Sequence, residues 1–314
     1  MGRFLCAASI VVLALAGCAE PEDEATTDAE GAEDVVVEDA PAPAPEWNEA
    51  TIAEALAGAI SSDARTEAAK ARDVARNPAE TISFFGVKPT DTVVEIWPGA
   101  GWYTDILSVY LAAGGGKLYA ASFDPSSDNP RIQQAIESFD AKYLADPELY
   151  GDVERTVLAR DVQEIAPPGS ADAVLTFRNV HNFEMGGWSA EAFAAFYEAL
   201  KPGGTLGIVE HRLPEDADKA REKTSGYVKV STVRQLAEDT GFVFDGSSEI
   251  NANPADNTDH PFGVWTLPPN SRVSDRDGNA PEGFDPSVYL EIGESDRMTL
   301  RFKKPFEPEE ALLE

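Results

Sequence analysis

Short apolar runs and helical periods alternate along most of this chain. Residues 92–96, 117–122, 154–159, 171–177 and 205–210 are compact runs rich in Val, Ile, Leu, Thr and Ala, which predicts strands. Between them, residues 103–113, 131–144, 190–200 and 230–240 repeat apolar side chains at helical spacing. Gly114-Gly115-Gly116 ends the first of these helices, a sixth strand opens at 242–244, and residues 298–303 read as a last strand. Upstream, Ile52, Ala53, Leu56 and Ile60 share a helical period that begins near Thr51. Asn77-Pro78 breaks the polar helix that follows, and residues 79–85 make a short helical stretch before a turn at 88–91. This alternation predicts an α/β domain with an open sheet and helices on both faces. From 251 to 296 the pattern gives way to Pro, Gly, Asn and Asp. A segment of that length without elements is either a functional cover or poorly ordered.

The first fifty residues follow a different rule. Arg3 is followed by an almost wholly apolar run from 4 to 16, ending in Leu15-Ala16-Gly17-Cys18. The run is shorter than the about 20 residues needed to span a bilayer and suits the apolar part of an export signal. From 19 to 50 there are 12 acidic residues and no Lys or Arg, closing through Pro41-Ala42-Pro43-Ala44-Pro45. Such a stretch has little to bury and reads as a disordered, extended tether, residues 18–47. The remaining 48–314 then form one domain carrying an insertion at 251–296.

Charge and cysteine usage remove several function classes. The 314 residues hold 56 acidic and 25 basic side chains, a net charge of −31, and the excess extends beyond the tether. Such a surface repels a phosphate backbone, so no nucleic-acid partner is expected. Cys6 and Cys18 are the two cysteines, so the domain has no disulfide, thiolate zinc site or cysteine nucleophile.

The stretch Val93-Val94-Glu95-Ile96-Trp97-Pro98-Gly99-Ala100-Gly101-Trp102 carries the most chemistry. A strand delivers an acid, and a Gly-x-Gly turn then opens a helix whose first N–H groups are free for a ligand. A dinucleotide fingerprint needs Gly or Ala where Thr104 stands, which disfavours a nicotinamide-dependent oxidoreductase. The pattern resembles the first motif of the Rossmann-like S-adenosylmethionine (SAM) methyltransferases, with Trp97 in the place of the first glycine. Further strings fall in that family's order: Arg160-Asp161 after the third strand, residues 172–181 on the fourth, Leu200-Lys201-Pro202-Gly203-Gly204-Thr205-Leu206 into the fifth, and Thr240-Gly241-Phe242 before the sixth. The strings Glu-Ile-Trp-Pro-Gly and Phe-Arg-Asn-Val-His-Asn are similar to those of a group of exported predicted methyltransferases. Leu15-Ala16-Gly17-Cys18 likewise resembles the lipobox of bacterial lipoproteins.

These resemblances imply a Rossmann-like α/β sheet, mostly parallel with an antiparallel last strand. They imply SAM as cofactor, held by Glu95, Gly99, Gly101, Asp161 and Asn179. The acid that the family places at the end of the second strand is replaced by Ser122, and Asp124 is the candidate substitute. They also imply a signal peptide over 1–17, lipidation of Cys18, and a lipid-anchored protein at the periplasmic face of a Gram-negative outer membrane. No twin-arginine pair is present, so export uses the route for unfolded chains and any cofactor is acquired afterwards.

Ligands of open α/β sheets sit beyond the carboxyl ends of the strands. His181 follows the fourth strand, and Glu210, His211 and Arg212 follow the fifth. The two strands are neighbours in the family's order, which brings two of the three histidines to one cleft. An imidazole there suits proton removal from an O–H or N–H methyl acceptor, so His181 and His211 are the catalytic candidates. Turn capping and solvation are their plainer accounts. Trp97, Trp102 and Tyr103 read as core or pocket wall, and His260 and Trp265 as packing within the insertion. Asp275-Arg276-Asp277-Gly278-Asn279 lacks the spacing of a calcium loop, and no metal is expected. Two functions remain: methyl transfer to a small-molecule acceptor, and a non-catalytic ligand-binding lipoprotein on the same fold.

Overall fold

The computed structural model describes residues 46–306. The expected signal peptide, the expected lipidation site Cys18 and all of the expected tether except Glu46 and Trp47 lie outside the described residues. Among those described, no helix is long and apolar enough to cross a membrane.

The chain enters through helices α1 (Glu49–Ser61), α2 (Glu67–Lys70), α3 (Asp73–Arg76) and α4 (Pro78–Phe85). Asn48 caps α1 by accepting from the N–H groups of Ala50 and Thr51. Strand β1 (Thr92–Ile96), helix α5 (Thr104–Ala112) and strand β2 (Lys117–Ser122) follow. Next come α6 (Pro130–Phe139), a π-helical turn at Asp140–Leu144, α7 (Pro147–Tyr150), β3 (Asp152–Ala159) and β4 (Val162–Glu164). The second half contains β5 (Ala171–Phe177), α8 (Val180–Gly186), α9 (Ser189–Ala199), β6 (Leu200–Leu213), β7 (Val228–Lys229), α10 (Val230–Thr240) and β8 (Val243–Ser248). Helix α11 (Pro286–Ile292) and strand β9 (Arg297–Lys303) complete it.

The sheet runs β4-β3-β2-β1-β5-β6-β9-β8, with β7 beside the end of β6. Strands β3, β2, β1, β5 and β6 are mutually parallel, while β9 runs antiparallel to both β6 and β8. This is the mostly parallel α/β sheet of the SAM-methyltransferase fold, with the antiparallel last strand in the expected place. The predicted adjacency of the fourth and fifth strands appears as the β5–β6 pair, Ala173 opposite Thr205.

Strand alternation sends successive side chains to opposite faces. Val94, Ile96 and Val174 meet Phe183, Phe193 and Phe196 of α8 and α9 on one face. Val93, Ala173 and Leu175 meet Leu56, Ile82, Ile106 and Tyr110 of α1, α4 and α5 on the other.

The structure departs from the sequence expectations in four places. The helix expected over 131–144 is α-helical only to Phe139 before it widens into the π turn. The third strand doubles back as a β3–β4 hairpin, with Ala159 opposite Val162. Residues just past β5, for which the sequence pattern gives no element, form α8. Residues 251–296, left between cover and disorder, form a strap fastened by buried polar contacts. Asn251 Nδ2 donates to Thr81 and Thr299, and Asp256 accepts from the Tyr227 hydroxyl at 2.9 Å and the Asp296 N–H at 2.8 Å.

Candidate functional site

Strand β1 delivers Glu95 to its carboxyl end, and the chain turns through Trp97 (φ 45°), Gly99 (φ 60°) and Gly101 (φ 82°) into α5. The left-handed region costs a non-glycine residue roughly 1–2 kcal/mol, so Trp97 holds a conformation suited to glycine. Its indole offsets that cost. The Nε1–H donates to the Leu158 carbonyl at 2.9 Å, and the ring packs 4.9 Å from Phe183, 5.4 Å from Phe123 and 5.8 Å from Trp188. Reaching from the tip of β1 to that of β3, the side chain crosses the end of β2. Gly101 has a separate reason to be glycine: a Cβ there would stand 1.9 Å from the Tyr143 hydroxyl oxygen.

Glu95 is buried and accepts a hydrogen bond from Thr104 Oγ1 at 2.7 Å. Burial pushes its carboxyl up to about 8, so it is a neutral acid at pH 7. Asn179, at the end of β5, donates from Nδ2 to the Ile96 carbonyl at 2.8 Å and ties the two strand ends together. Glu95, Trp97, Gly99 and Asn179 share one cavity of about 250 Å³ with Arg76 and Arg178. Three of the predicted cofactor residues, Glu95, Gly99 and Asn179, therefore converge, and Gly101 completes their turn.

Asp124 and Asp161 do not join them. The Asp124 carboxylate accepts from the Ser126 N–H at 2.7 Å and closes its own turn, which holds it below the usual carboxylate range. Asp161 is exposed at the tip of the β3–β4 hairpin, and Ser122 is buried.

The two histidines meet, as the strand order implies, but both are buried and neither lines the cavity of Glu95 and Asn179. His181 on α8 donates from Nδ1–H to Glu210 at 2.9 Å, and its backbone N–H donates to the same carboxylate at 3.2 Å. Glu210 also accepts from the His211 N–H at 2.7 Å and is fully buried. With Nδ1–H held by the carboxylate, the lone pair of His181 is on Nε2, the tautomer a general base requires. The His211 ring lies 5.2 Å from that of His181, with its Nδ1 2.5 Å from Ser295 Oγ. Burial, then the neighbouring His181 and three arginines, hold His211 well below the usual imidazole range, so it is neutral.

Among the described residues, His181, Glu210 and His211 are the one trio able to ligate a metal, with one ligand atom from each within 4.8 Å of the others. The three N–H donors already on Glu210 make it the orienting partner of His181 rather than a vacant ligand. Trp265, from the strap, covers His181 with ring centroids 6.1 Å apart. His260 pairs with Asp256 at 2.8 Å, the packing role expected of it.

Glu210 was noted beside His211 in the sequence, yet its role as orienter needs the β5–β6 pairing to be seen. The cavity's arginines carry no sequence signal: Arg72 and Arg76 flank and end α3, Arg178 follows β5, and no local spacing groups them with Arg297 at the start of β9.

A SAM ligand meets different surroundings at its two ends. The amino-acid end suits the glycine turn, Glu95, Asn179 and the buried guanidinium nitrogens of Arg76, which have no hydrogen-bond partner among the described residues. The nucleoside end would meet Ser122 where an acid is expected, beside a partly exposed Asp124 that spends one carboxylate oxygen on the Ser126 N–H, and the Trp97 indole reaching to the Leu158 carbonyl.

No protein-family model matches the sequence, and no curated protein matches it. Among solved structures, the fold is similar to a SAM-dependent methyltransferase from Aquifex aeolicus, with 18% identity, 58% of this chain and 87% of that one covered, and a TM-score of 0.42. It is also similar to a sarcosine dimethylglycine methyltransferase, so described, from Galdieria sulphuraria (16% identity, 73% and 84% covered, TM-score 0.47). The [4+2]-cyclase SpnF is similar at 13% identity, with 82% and 93% covered and a TM-score of 0.47. The fold assignment rests on the strand order and the antiparallel β9.

Proposed function

We propose that this domain is a SAM-dependent methyltransferase acting on a small-molecule acceptor. The observation that carries the reading is the meeting of the glycine turn, Glu95 and Asn179 around one cavity at the carboxyl ends of β1 and β5. Bound SAM would supply an electrophilic methyl group on a sulfonium. Gly99 lets the backbone approach that ligand closely, while Glu95, kept neutral by burial, fixes the start of α5 through Thr104. Asn179 holds the β5 end against β1, which sets the width of the cavity.

On the neighbouring strand ends, His181 is the group that takes a proton from the acceptor, oriented by Glu210. His211, kept neutral, adds no second positive charge beside it. Trp265 covers the imidazole, so proton removal requires the strap to yield locally at that ring. Holding the two reactants in line supplies most of the rate in such a displacement.

Trp97 favours a second reading, a ligand-binding lipoprotein that keeps the fold without the catalysis. The indole reaches across the strand tips on which a nucleoside would rest, and Ser122 stands where the ribose acid is expected. Under either reading we place the domain outside the cytosol, anchored through Cys18 to the outer membrane. Calorimetric titration of SAM and S-adenosylhomocysteine into the full-length chain separates the two. Micromolar binding supports methyl transfer. A folded protein that ignores millimolar ligand leaves the binding lipoprotein.

A further inference from the structure

Four guanidinium groups gather beside the cavity, and three of them share one carboxylate. Arg72 Nε donates to Glu294 at 2.8 Å, Arg76 Nε donates to both Glu294 oxygens at 3.0 and 3.2 Å, and Arg297 Nη2 donates to the same group. Arg76 is 1% exposed, and its Nη1 and Nη2 have no hydrogen-bond partner among the described residues. Trp102 lies 4.7 Å from that guanidinium, and its ring face offers attraction but no acceptor.

Arg178 enters from the end of β5 with φ 64°, its backbone N–H fixed to the Val209 carbonyl at 2.7 Å. Its side chain lines the cavity and makes no hydrogen bond or ion pair with a described residue. Burial, more than any neighbour, lowers Arg76 to about 10 and Arg178 to about 9; the adjoining arginines lower both, and Glu294 opposes them. Glu95 in the same wall is neutral at pH 7 and returns no negative charge.

Buried charges are stable when paired, and a surplus of cations inside an acidic protein calls for an anion from outside. We propose that Arg76 and Arg178 bind the oxyanion group, carboxylate or phosphate, of a small molecule held in this cavity. A planar guanidinium presents a fork of N–H donors matched to such groups. Trp102, Tyr103 and Phe177 wall the site with aromatic surface, which keeps competing water away. Two sources supply the same chemistry: the amino-acid end of SAM, or an anionic group on the acceptor. The inference stands whether the domain is an enzyme or a binding protein.

The test titrates the full-length protein with inorganic phosphate, citrate, SAM and 5′-methylthioadenosine, which lacks the amino-acid end. Arg178→Met removes the charge at similar volume, and Arg178→Lys keeps the charge without the fork. Wild type is expected to bind at least one of the oxyanion-bearing probes, and Arg178→Met to weaken that binding by about tenfold or more. Arg178→Lys falls between them. In buffer free of oxyanions, Arg178→Met melts no lower than wild type, because it relieves a surplus charge; an internal ion-pair role would lower its melting point. Weakened SAM with unchanged 5′-methylthioadenosine assigns the site to the cofactor. Weakened phosphate or citrate with unchanged SAM assigns it to the acceptor. The proposal is overturned if no oxyanion probe binds wild type at millimolar concentration, or if Arg178→Met binds all of them as wild type does. Failure of SAM alone defeats methyl transfer and leaves the anion site standing on phosphate or citrate.

Discussion

Glu210 takes hold of His181 twice, accepting from its ring at 2.9 Å and from its backbone at 3.2 Å. One carboxylate on β6 thereby fixes both the rotamer and the tautomer of a histidine on α8. If His181 removes the acceptor proton, His181→Asn lowers turnover by about a hundredfold with its fold intact. Glu210→Gln offers an amide donor where an acceptor is needed. It should slow turnover and shift the pH–rate profile, while SAM affinity changes little. Equal turnover in both variants and wild type would remove the dyad from the chemistry.

Glu95 makes stability depend on pH in an unusual direction. Its carboxyl titrates near 8 in the folded chain and in the ordinary carboxyl range when unfolded, so the folded state holds the extra proton in between. Stability therefore falls as the pH rises from about 4.5 towards 8. Glu95→Gln keeps an acceptor for Thr104 and loses this dependence. At pH 9 it should exceed wild type by about 5 kcal/mol in urea unfolding, with the gap narrowing to about 1 kcal/mol at pH 5. Parallel pH profiles would contradict the neutral acid.

Trp97→Gly restores the residue suited to a φ of 45° and clears the tips of the strands. Loss of the packed ring costs about 3 kcal/mol, of which about 1 kcal/mol returns as released backbone strain. The melting point should fall by several degrees while 5′-methylthioadenosine binds about tenfold tighter. Weaker nucleoside binding would instead make the indole a wall of that site.

Metal removal bears on the trio of His181, Glu210 and His211. Because Glu210 already accepts three N–H donors, dialysis against EDTA should leave SAM binding and the melting point unchanged. A loss restored by zinc would make the trio a metal centre instead.

Much of the sheet was legible because its strands are short apolar runs buried on both faces, a signal that needs no tertiary information. The β5–β6 neighbourhood followed from the family's strand order, and with it the meeting of His181 and His211. Helix α8 was missed because seven residues, Val180–Gly186, hold too few periods to register. Order in the strap was hidden for another reason. Its fastenings, Asn251 to Thr81 and Thr299 and Asp256 to Tyr227, join positions far apart in the chain, so local composition reads only Pro, Gly, Asn and Asp. The same distance in sequence concealed Arg76, Arg178 and Arg297. Asp124 was a reasonable substitute by position, and only its bond to Ser126 N–H shows where its carboxylate is engaged.

The strap connects β8 to β9, and β9 lies between β8 and β6 in the sheet. Both ends of the cover are therefore sewn into adjacent strands of the core. The edge of β6 is paired by a chain segment that has first travelled around the site, a long-range contact with a high loop-closure cost. The strand that completes the sheet and the residues that roof the histidines belong to one continuous stretch of chain. A hinged flap could swing clear in each cycle, whereas a doubly sewn roof lets traffic pass only by loosening in its middle, around Trp265. The same stitching makes truncation severe: a chain cut within the strap loses β9, and β6 and β8 lose the strand they share.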